Sequence, residues 1–221
     1  MAGIQDYAVF EDDFWGADTF STAGQGSPWA IAYTSAAGTP TYATVTPSAT
    51  GEVALTLEAT SEVQNVCLSF GDTLSFDIDN IQLFECRLKV TGCTTGTTIS
   101  WGLASARNNT PANMTALALF TMTGATSTTA VTVETDDNVT DTAPVTSGQT
   151  LATVYKRFVI DFSGGKSNVK FYVDGIRVAA STVFTMAGYT ASLQPFFQIQ
   201  KAANANVDGI TIDYIRVEMK R

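Results

Sequence analysis

Apolar and polar residues alternate along most of the chain, a pattern typical of β-strands that bury one face. In EVALTLEA the apolar side consists of Val53, Leu55 and Leu57. The same alternation recurs in NVCLSF, IQLFECRLKVT, TISWGLASA, TALALFTM, TTAVTVET, KRFVIDFS, SLQPFFQIQ and GITIDYIRVEMK. No segment shows the spacing of a long helix. The pattern predicts about ten to thirteen strands in two packed antiparallel sheets, an all-β sandwich or jelly roll, and a single domain over residues 1–221.

The alternation changes phase in the last predicted strand. Ile210 and Ile212 share one parity, whereas Ile215 and Val217 share the other. One extra residue in a strand produces such a shift, so we expect a β-bulge near Asp213-Tyr214.

The segment VKFYVDGIRVAAS predicts a hairpin that turns at Asp174-Gly175, because a type I′ turn needs positive φ at both central positions. The expected cross-strand pairs are Val173 with Ile176, Tyr172 with Arg177, Phe171 with Val178, and Lys170 with Ala179. Asp174 thus has a structural reason to be there, and we do not expect it to bind a metal.

This hairpin carries a family resemblance. A strand with alternate aromatics, a Gly-rich turn and FYVDGxxVA together resemble the concanavalin A-like lectin/glucanase superfamily, especially its laminin-G-like branch. EDDF at Glu11 to Phe14 is similar to the opening strand of that superfamily, and ITIDYIRV is similar to its closing strand. The resemblance spans nearly the whole chain and implies a sandwich without specifying a reaction.

Composition removes several functions. Twelve Lys and Arg stand against 21 Asp and Glu, a net charge of -9, which argues against nucleic acid as a partner. The absence of histidine excludes Ser-His-Asp and Cys-His catalysis and His-containing zinc sites. Cys67, Cys86 and Cys93 lack CxxC spacing and are expected to be buried thiols. With no secretory signal and no apolar run of membrane-spanning length, we expect synthesis in the host cytoplasm and no membrane partner.

The resemblance also suggests a test for enzymatic activity, because glucanases of this superfamily carry E-x-D-x-x-E. The nearest match begins at Glu134, continues with Asp136 and has Val139 in place of the third acid. Asp77 and Asp79 are better explained as turn residues. We therefore predict no catalytic residues and no enzyme, with a divergent glycoside hydrolase as the weakest alternative.

A carbohydrate-binding module is the second alternative. Sugar sites need exposed aromatic rings and planar polar groups. The candidate rings are Tyr172, Trp15, Trp29, Tyr33, Tyr42 and Tyr189, which could equally fill the core or cover sheet edges. Calcium could bind at Asp136, Asp137 and Asp141, but loop solvation explains these acids equally well, so no cofactor is predicted.

The preferred interpretation is a structural protein. Long Thr-, Ser- and Ala-rich segments without a complete catalytic set resemble the sandwich domains of tailed-phage virion proteins. This resemblance implies a capsid decoration (cement) protein located in the virion. It would bind the major capsid protein or other virion proteins, as a trimer or dimer. The candidate partner or glycan contacts are Tyr172, Arg177, Glu85, Arg87 and Lys89.

Overall fold

The computed structural model describes residues 7–15, 28–45, 51–73, 75–124 and 130–221. Within these ranges the chain forms sixteen strands, which are, in order, β1 (Tyr7–Asp12), β2 (Ala30–Thr34), β3 (Thr41–Thr44), β4 (Val53–Thr56), β5 (Glu62–Ser69), β6 (Phe76–Asp77), β7 (Ile81–Gly92), β8 (Thr97–Ala104), β9 (Leu117–Thr123), β10 (Ala130–Asp136), β11 (Asp141–Thr150), β12 (Lys156–Asp161), β13 (Lys170–Val173), β14 (Ile176–Val178), β15 (Ser192–Asn204) and β16 (Gly209–Lys220). The described residues include one helix, the short 3-10 turn Pro111–Asn113. None of their helices is long and apolar enough to cross a membrane.

The strands form two antiparallel sheets of eight, which confirms the predicted all-β sandwich. Sheet 1 has the order β14-β13-β12-β7-β16-β4-β3, and β1 also pairs with β16. Sheet 2 has the order β11-β10-β9-β8-β15-β5-β2, and β6 also pairs with β15. Neighbouring strands in the sheets are often distant along the chain, so each functional surface combines residues from separate segments.

The core lies between the two sheets and is centred on aromatic rings. Trp101 and Phe120 of sheet 2 contact Phe158 of sheet 1, with ring centroids 4.9 and 5.1 Å away respectively. Phe171 lies 5.2 Å from Phe120 in an edge-on arrangement, a geometry that is favourable between aromatic quadrupoles. The alternating apolar residues of the sequence supply this core, as predicted.

The three cysteines are free and buried, as predicted. Burial raises the pKa of the Cys67 thiol to about 12, because a thiolate loses its hydration inside the protein.

The predicted bulge in β16 is confirmed. Ile212 pairs with Leu88, and Tyr214 pairs with the very next residue of β7, Arg87, so Asp213 is the extra residue. The bulge turns the Asp213 carboxylate toward Arg87, whose Nη1 lies 2.6 Å from Asp213 Oδ2.

The predicted hairpin is confirmed for three of its four pairs, and Asp174 and Gly175 have φ of 50° and 81°. The fourth pair, Lys170 with Ala179, does not form, because Ala179 has a φ of 48° and leaves the ladder. Asp174 also anchors the hairpin to β12: its Oδ1 accepts a 2.9 Å hydrogen bond from the Arg157 backbone N–H. Its carboxylate is therefore structural.

Candidate functional site

Sheet 2 directs a partly polar face away from sheet 1. Strand register aligns Thr121 of β9, Ser100 of β8 and Gln198 of β15 in one row across this face. Ser100 Oγ and Thr121 Oγ1 lie 3.1 Å apart and share a hydrogen bond. This outer face of sheet 2 thus carries hydroxyl and amide groups across neighbouring strands.

Glu134 lies on the same face, in β10. Its neighbours in the strand, Val133 and Thr135, are buried in the opposite direction, while Glu134 is half-buried opposite Leu119 of β9. Thr121 Oγ1 donates a hydrogen bond of 3.3 Å to Glu134 Oε1. The strand alternation therefore places one carboxylate beside the row of hydroxyl groups.

The surroundings of Glu134 raise the pKa of its carboxyl group. Burial is the main cause, and the nearby charges of Asp141 and Asp136 act in the same direction, whereas the Thr121 hydrogen bond opposes them. Burial disfavours the charged carboxylate because it loses hydration, and the two acidic neighbours disfavour it by repulsion between like charges. Glu134 therefore keeps its proton to a higher pH than an exposed glutamate.

A second carboxylate follows two residues later on the same face. Asp136 pairs directly with Asp141 of β11 across the ladder. The side chains of residues i and i+2 point to the same face of a strand, and their Cα atoms lie about 6.8 Å apart. Glycosidases hold their two carboxyl groups about 5 to 9.5 Å apart, and two side chains that leave one strand face at this backbone spacing can reach such a separation.

A β-bulge in β11 lies opposite Glu134. Val133 pairs with Val145 and Thr135 pairs with Thr142, so two residues of β11, Ala143 and Pro144, oppose Glu134 alone. Bulges of this kind interrupt pairing and are frequent beside active sites.

The turn after β10 uses its acids differently. Asp137 is buried; its Oδ1 accepts hydrogen bonds from the backbone N–H groups of Val139 and Thr140 at 3.0 and 2.6 Å, and its Oδ2 accepts one from Gly188 at 2.7 Å. Burial would raise the pKa of Asp137, but these three donors lower it below the usual range. Asp137 therefore connects the turn to the segment around Gly188. Among the described residues, no group of three or more His, Cys, Asp or Glu could hold a metal ion.

The connection between β8 and β9 crosses part of the outer face of sheet 2. The carbonyl oxygen of Asn109 accepts hydrogen bonds from Gln198 Nε2 at 3.2 Å and Asn65 Nδ2 at 3.4 Å. Met114, further along the connection, packs in an apolar cluster with Leu119 and Phe196. Asn65 and Gln198 are buried, whereas Glu134, on the β10 side, stays half-exposed.

The predicted contact residues lie on the other side of the molecule, on the outer face of sheet 1. Glu85 accepts a hydrogen bond from the Tyr214 hydroxyl, and its Oε2 lies 3.6 Å from Arg157 Nη1. Glu85 and Tyr172 line one surface depression. Arg177 is paired with Tyr172 and is exposed on the edge strand.

Arg87 and Lys89 form a separate group with the ring of Tyr155. The Arg87 guanidinium carbon and Lys89 Nζ lie 4.6 and 4.3 Å from the ring centroid. The structure thus places all five predicted contacts on one face, but it divides them into two local environments.

The aromatic candidates also separate. Trp29 is fully buried and donates its indole N–H to Asp12 Oδ2 at 2.7 Å, so it is a core residue and cannot stack on a sugar. Trp15 is 68% exposed. Tyr33 and Tyr42, with ring centroids 6.2 Å apart, close an edge of the sandwich, and Tyr189 packs against the core.

Solved structures with the same architecture match over nearly the whole chain. The β-glucanase of Bacillus licheniformis superposes with a TM-score of 0.64, 15% identity and full coverage of both chains. A Bacteroides ovatus GH16 enzyme from a mixed-linkage glucan locus, in complex with a product, gives a TM-score of 0.64, 12% identity and coverage of 94% of this chain and 99% of that one. The laminarinase of Flavobacterium sp. UMI-01 gives a TM-score of 0.64 and 13% identity, with coverage of 94% of this chain and 98% of that one. No family model and no curated protein sequence matches the chain.

These structures establish a concanavalin A-like jelly-roll sandwich. They contradict the predictions of a non-enzymatic capsid decoration protein and of no enzymatic activity, because the matching structures are glycoside hydrolases rather than virion proteins. The virion location, the capsid partner and the dimer or trimer stay predictions that the fold does not test.

Sequence reasoning missed Thr121 as the partner of Glu134 and Asn65 and Gln198 as polar residues of the same sheet face. Glu134 and Asp136 have the same parity along the chain, but only strand pairing brings Thr121 beside Glu134. The position of Asp141 opposite Asp136 follows from a short hairpin, a signal that the sequence does contain.

Proposed function

We propose that the chain is a glycoside hydrolase that cleaves a β-linked glucan on the outer face of sheet 2. Glu134 is the proton donor and Asp136 the second carboxylate. The observation that carries the proposal is the half-buried Glu134, with its raised pKa, two residues from Asp136 on one strand face. The substrate class is suggested by the matching β-glucanase and laminarinase structures.

Glycoside hydrolysis needs an acid and a base or nucleophile on opposite sides of the scissile bond. Glu134 gives its proton to the leaving glycosidic oxygen as the C1–O bond breaks. Asp136, as an anion, stabilises the positive charge that develops at the anomeric carbon and assists the attack there. Water supplies a hydroxyl group to that carbon and a proton that restores the acid, so the reaction is balanced without a cofactor.

Thr121 lies half-buried beside Glu134, where its hydroxyl can donate a hydrogen bond to a sugar hydroxyl or accept one from it. Ser100 and Gln198 of the same row are buried. The buried Gln198 Oε1 and Asn65 Oδ1 make no hydrogen bond with the described part of the chain. Buried acceptors of this kind are normally satisfied by ordered water.

The test is release of reducing ends from mixed-linkage β-glucan and from laminarin. We expect activity in the native chain and a loss of about 100-fold or more in Glu134→Gln, since general acid catalysis contributes about 10² to 10⁴-fold. Asp136→Asn should also lose most activity.

The matched control is Glu11→Gln, which changes an exposed carboxylate of β1 in sheet 1 that lies 3.9 Å from Arg216 Nε. This variant should keep full activity. Binding of the glucans without any release of reducing ends would contradict hydrolysis, and unchanged activity in Glu134→Gln would reject the assigned proton donor.

A further inference from the structure

A second candidate binding feature lies on the outer face of sheet 1, opposite the glycosidase site. It is a depression of about 290 Å³ over strands β7, β12 and β13. The lining residues are Leu83, Glu85, Arg157, Val159, Asp161, Tyr172 and Gly175. They place an aromatic ring, two aliphatic side chains and three charged groups around one small volume.

Strand register explains how this depression forms. Tyr172 of β13 pairs with Val159 of β12, which pairs with Glu85 of β7, so the three side chains form one row. In the next row Asp161 pairs with Leu83. The small Val159 between larger neighbours leaves the depression, with an aromatic wall on one side and carboxylates on the other.

The polar groups of the depression are held by contacts with other parts of the chain. Glu85 accepts a hydrogen bond from the Tyr214 hydroxyl, and its Oε2 lies 3.6 Å from Arg157 Nη1. The Arg157 backbone is fixed in turn by Asp174, which donates its N–H to the Arg157 carbonyl at 2.8 Å and accepts the Arg157 N–H at 2.9 Å. The Glu85 side chain, held by these contacts, loses less conformational freedom when a ligand binds.

The chemistry of the lining selects a neutral, hydroxyl-rich ligand. The aromatic ring and aliphatic side chains match the C–H face of a sugar ring, while carboxylates accept hydrogen bonds from hydroxyl groups and the guanidinium donates to them. An anion would be repelled by the carboxylates of Glu85 and Asp161, and the Arg157 guanidinium offsets part of their attraction for a cation. The volume lies just below that of ordinary ligand sites, about 300 to 1,000 Å³, and therefore suits one sugar unit.

We propose that this depression is a second saccharide site, which binds a single pyranose unit of a glycan without cleaving it. The site goes beyond the proposed hydrolysis and does not depend on it, because it lies on the opposite sheet. In a polymer-degrading enzyme it would hold a further part of the chain and increase residence on the substrate through multivalency.

The experiment titrates the Glu134→Gln protein with methyl β-glucoside and with laminaribiose, followed by NMR shifts of backbone amides. We expect millimolar binding, with shifts at Gly175 and along β12 and β13. Tyr172→Ala and Glu85→Gln should each weaken this binding about tenfold, and the second variant preserves side-chain size in case the first perturbs the hairpin.

The control is Tyr7→Ala, which removes an exposed tyrosine of the same sheet that does not line the depression. It should leave the dissociation constant unchanged. The proposal is overturned if neither sugar binds, or if both remain equally well bound in Tyr172→Ala and Glu85→Gln. Shifts confined to β9 and β10 would place the sugar at the hydrolytic site instead and would also overturn it, while leaving the proposed function intact.

Discussion

Glu134 acts as an acid only if its immediate neighbours hold the proton on its carboxyl group. Burial and the charges of Asp141 and Asp136 raise its pKa, and the hydrogen bond from Thr121 lowers it. A proton donor must be protonated in the reactive state, so activity should fall as the pH rises through this pKa. The two neighbours that are not themselves assigned to the chemistry can therefore be used to move the pH profile.

Asp141→Asn and Thr121→Val should shift the alkaline limb of the pH–activity profile in opposite directions. Asp141→Asn removes a negative charge, which lowers the pKa of Glu134 and moves the limb to lower pH. Thr121→Val removes a donor that favours the carboxylate, which raises the pKa and moves the limb to higher pH. Initial rates across the pH range measure both effects. Shifts in the same direction, or none in either variant, would show that Glu134 does not control this limb.

At the level of strands, alternation in the sequence predicted much of the fold. The buried residues of β7 and β8, the bulge at Asp213 and the Asp174-Gly175 turn all follow from local patterns with a known backbone geometry. The connection between β8 and β9 does not follow, because it lacks a periodic pattern. Its anchor, the contact of Asn109 with Gln198, joins residues 89 positions apart. The sequence likewise shows that Glu134 and Asp136 are two residues apart, but it does not show the hydroxyl groups that strand pairing brings beside Glu134.

Strand β8 contains a position that only glycine can occupy without strain. Gly102 has a φ of 146°, and a Cβ there would lie 2.3 Å from the Ala118 carbonyl oxygen and 3.2 Å from Leu119 Cα. Both atoms belong to the adjacent strand, so relief would require β8 and β9 to separate. The same two strands carry Ser100 and Thr121, so their separation would also displace residues of the candidate site.

We predict that Gly102→Ala lowers the free energy of unfolding by about 2 to 4 kcal/mol, from backbone strain and overpacking together. Urea unfolding measures this change. Gly148→Ala is the control, because Gly148 also has a positive φ, 71°, but has no other group within 4 Å of an added Cβ; it should cost only about 1 to 2 kcal/mol. Equal losses in the two variants would contradict the steric argument.

Across the molecule as a whole, the two sheets enclose an apolar core and leave two outer faces with different chemistry. One face carries Glu134 and Asp136 beside hydroxyl and amide groups, and the other carries the depression around Tyr172. The sequence could not separate these faces, because it shows which residues point outward but not which sheet they belong to. It also gave no sign of enzymatic function beyond an incomplete motif.

Burial in the core predicts that the three thiols react slowly in the native protein. Cys67, Cys86 and Cys93 are buried, and burial raises the pKa of each thiol above its ordinary value. Because the thiolate is the reactive form, we expect negligible labelling by a thiol reagent in the native protein and three labelled thiols in concentrated guanidinium chloride. A thiol that reacts rapidly in the native state would contradict the packing described for it.

The most direct test of the proposed hydrolysis is NMR of a mixed-linkage β-glucan digest, comparing the native chain with Glu134→Gln at equal concentration. The native chain should produce new reducing-end anomeric signals that grow with time. The Glu134→Gln variant should produce them about 100-fold more slowly or not at all, while remaining folded by circular dichroism. Equal growth of these signals in the two proteins, or none with the native chain, would contradict the assignment of Glu134 as the proton donor of a glycoside hydrolase.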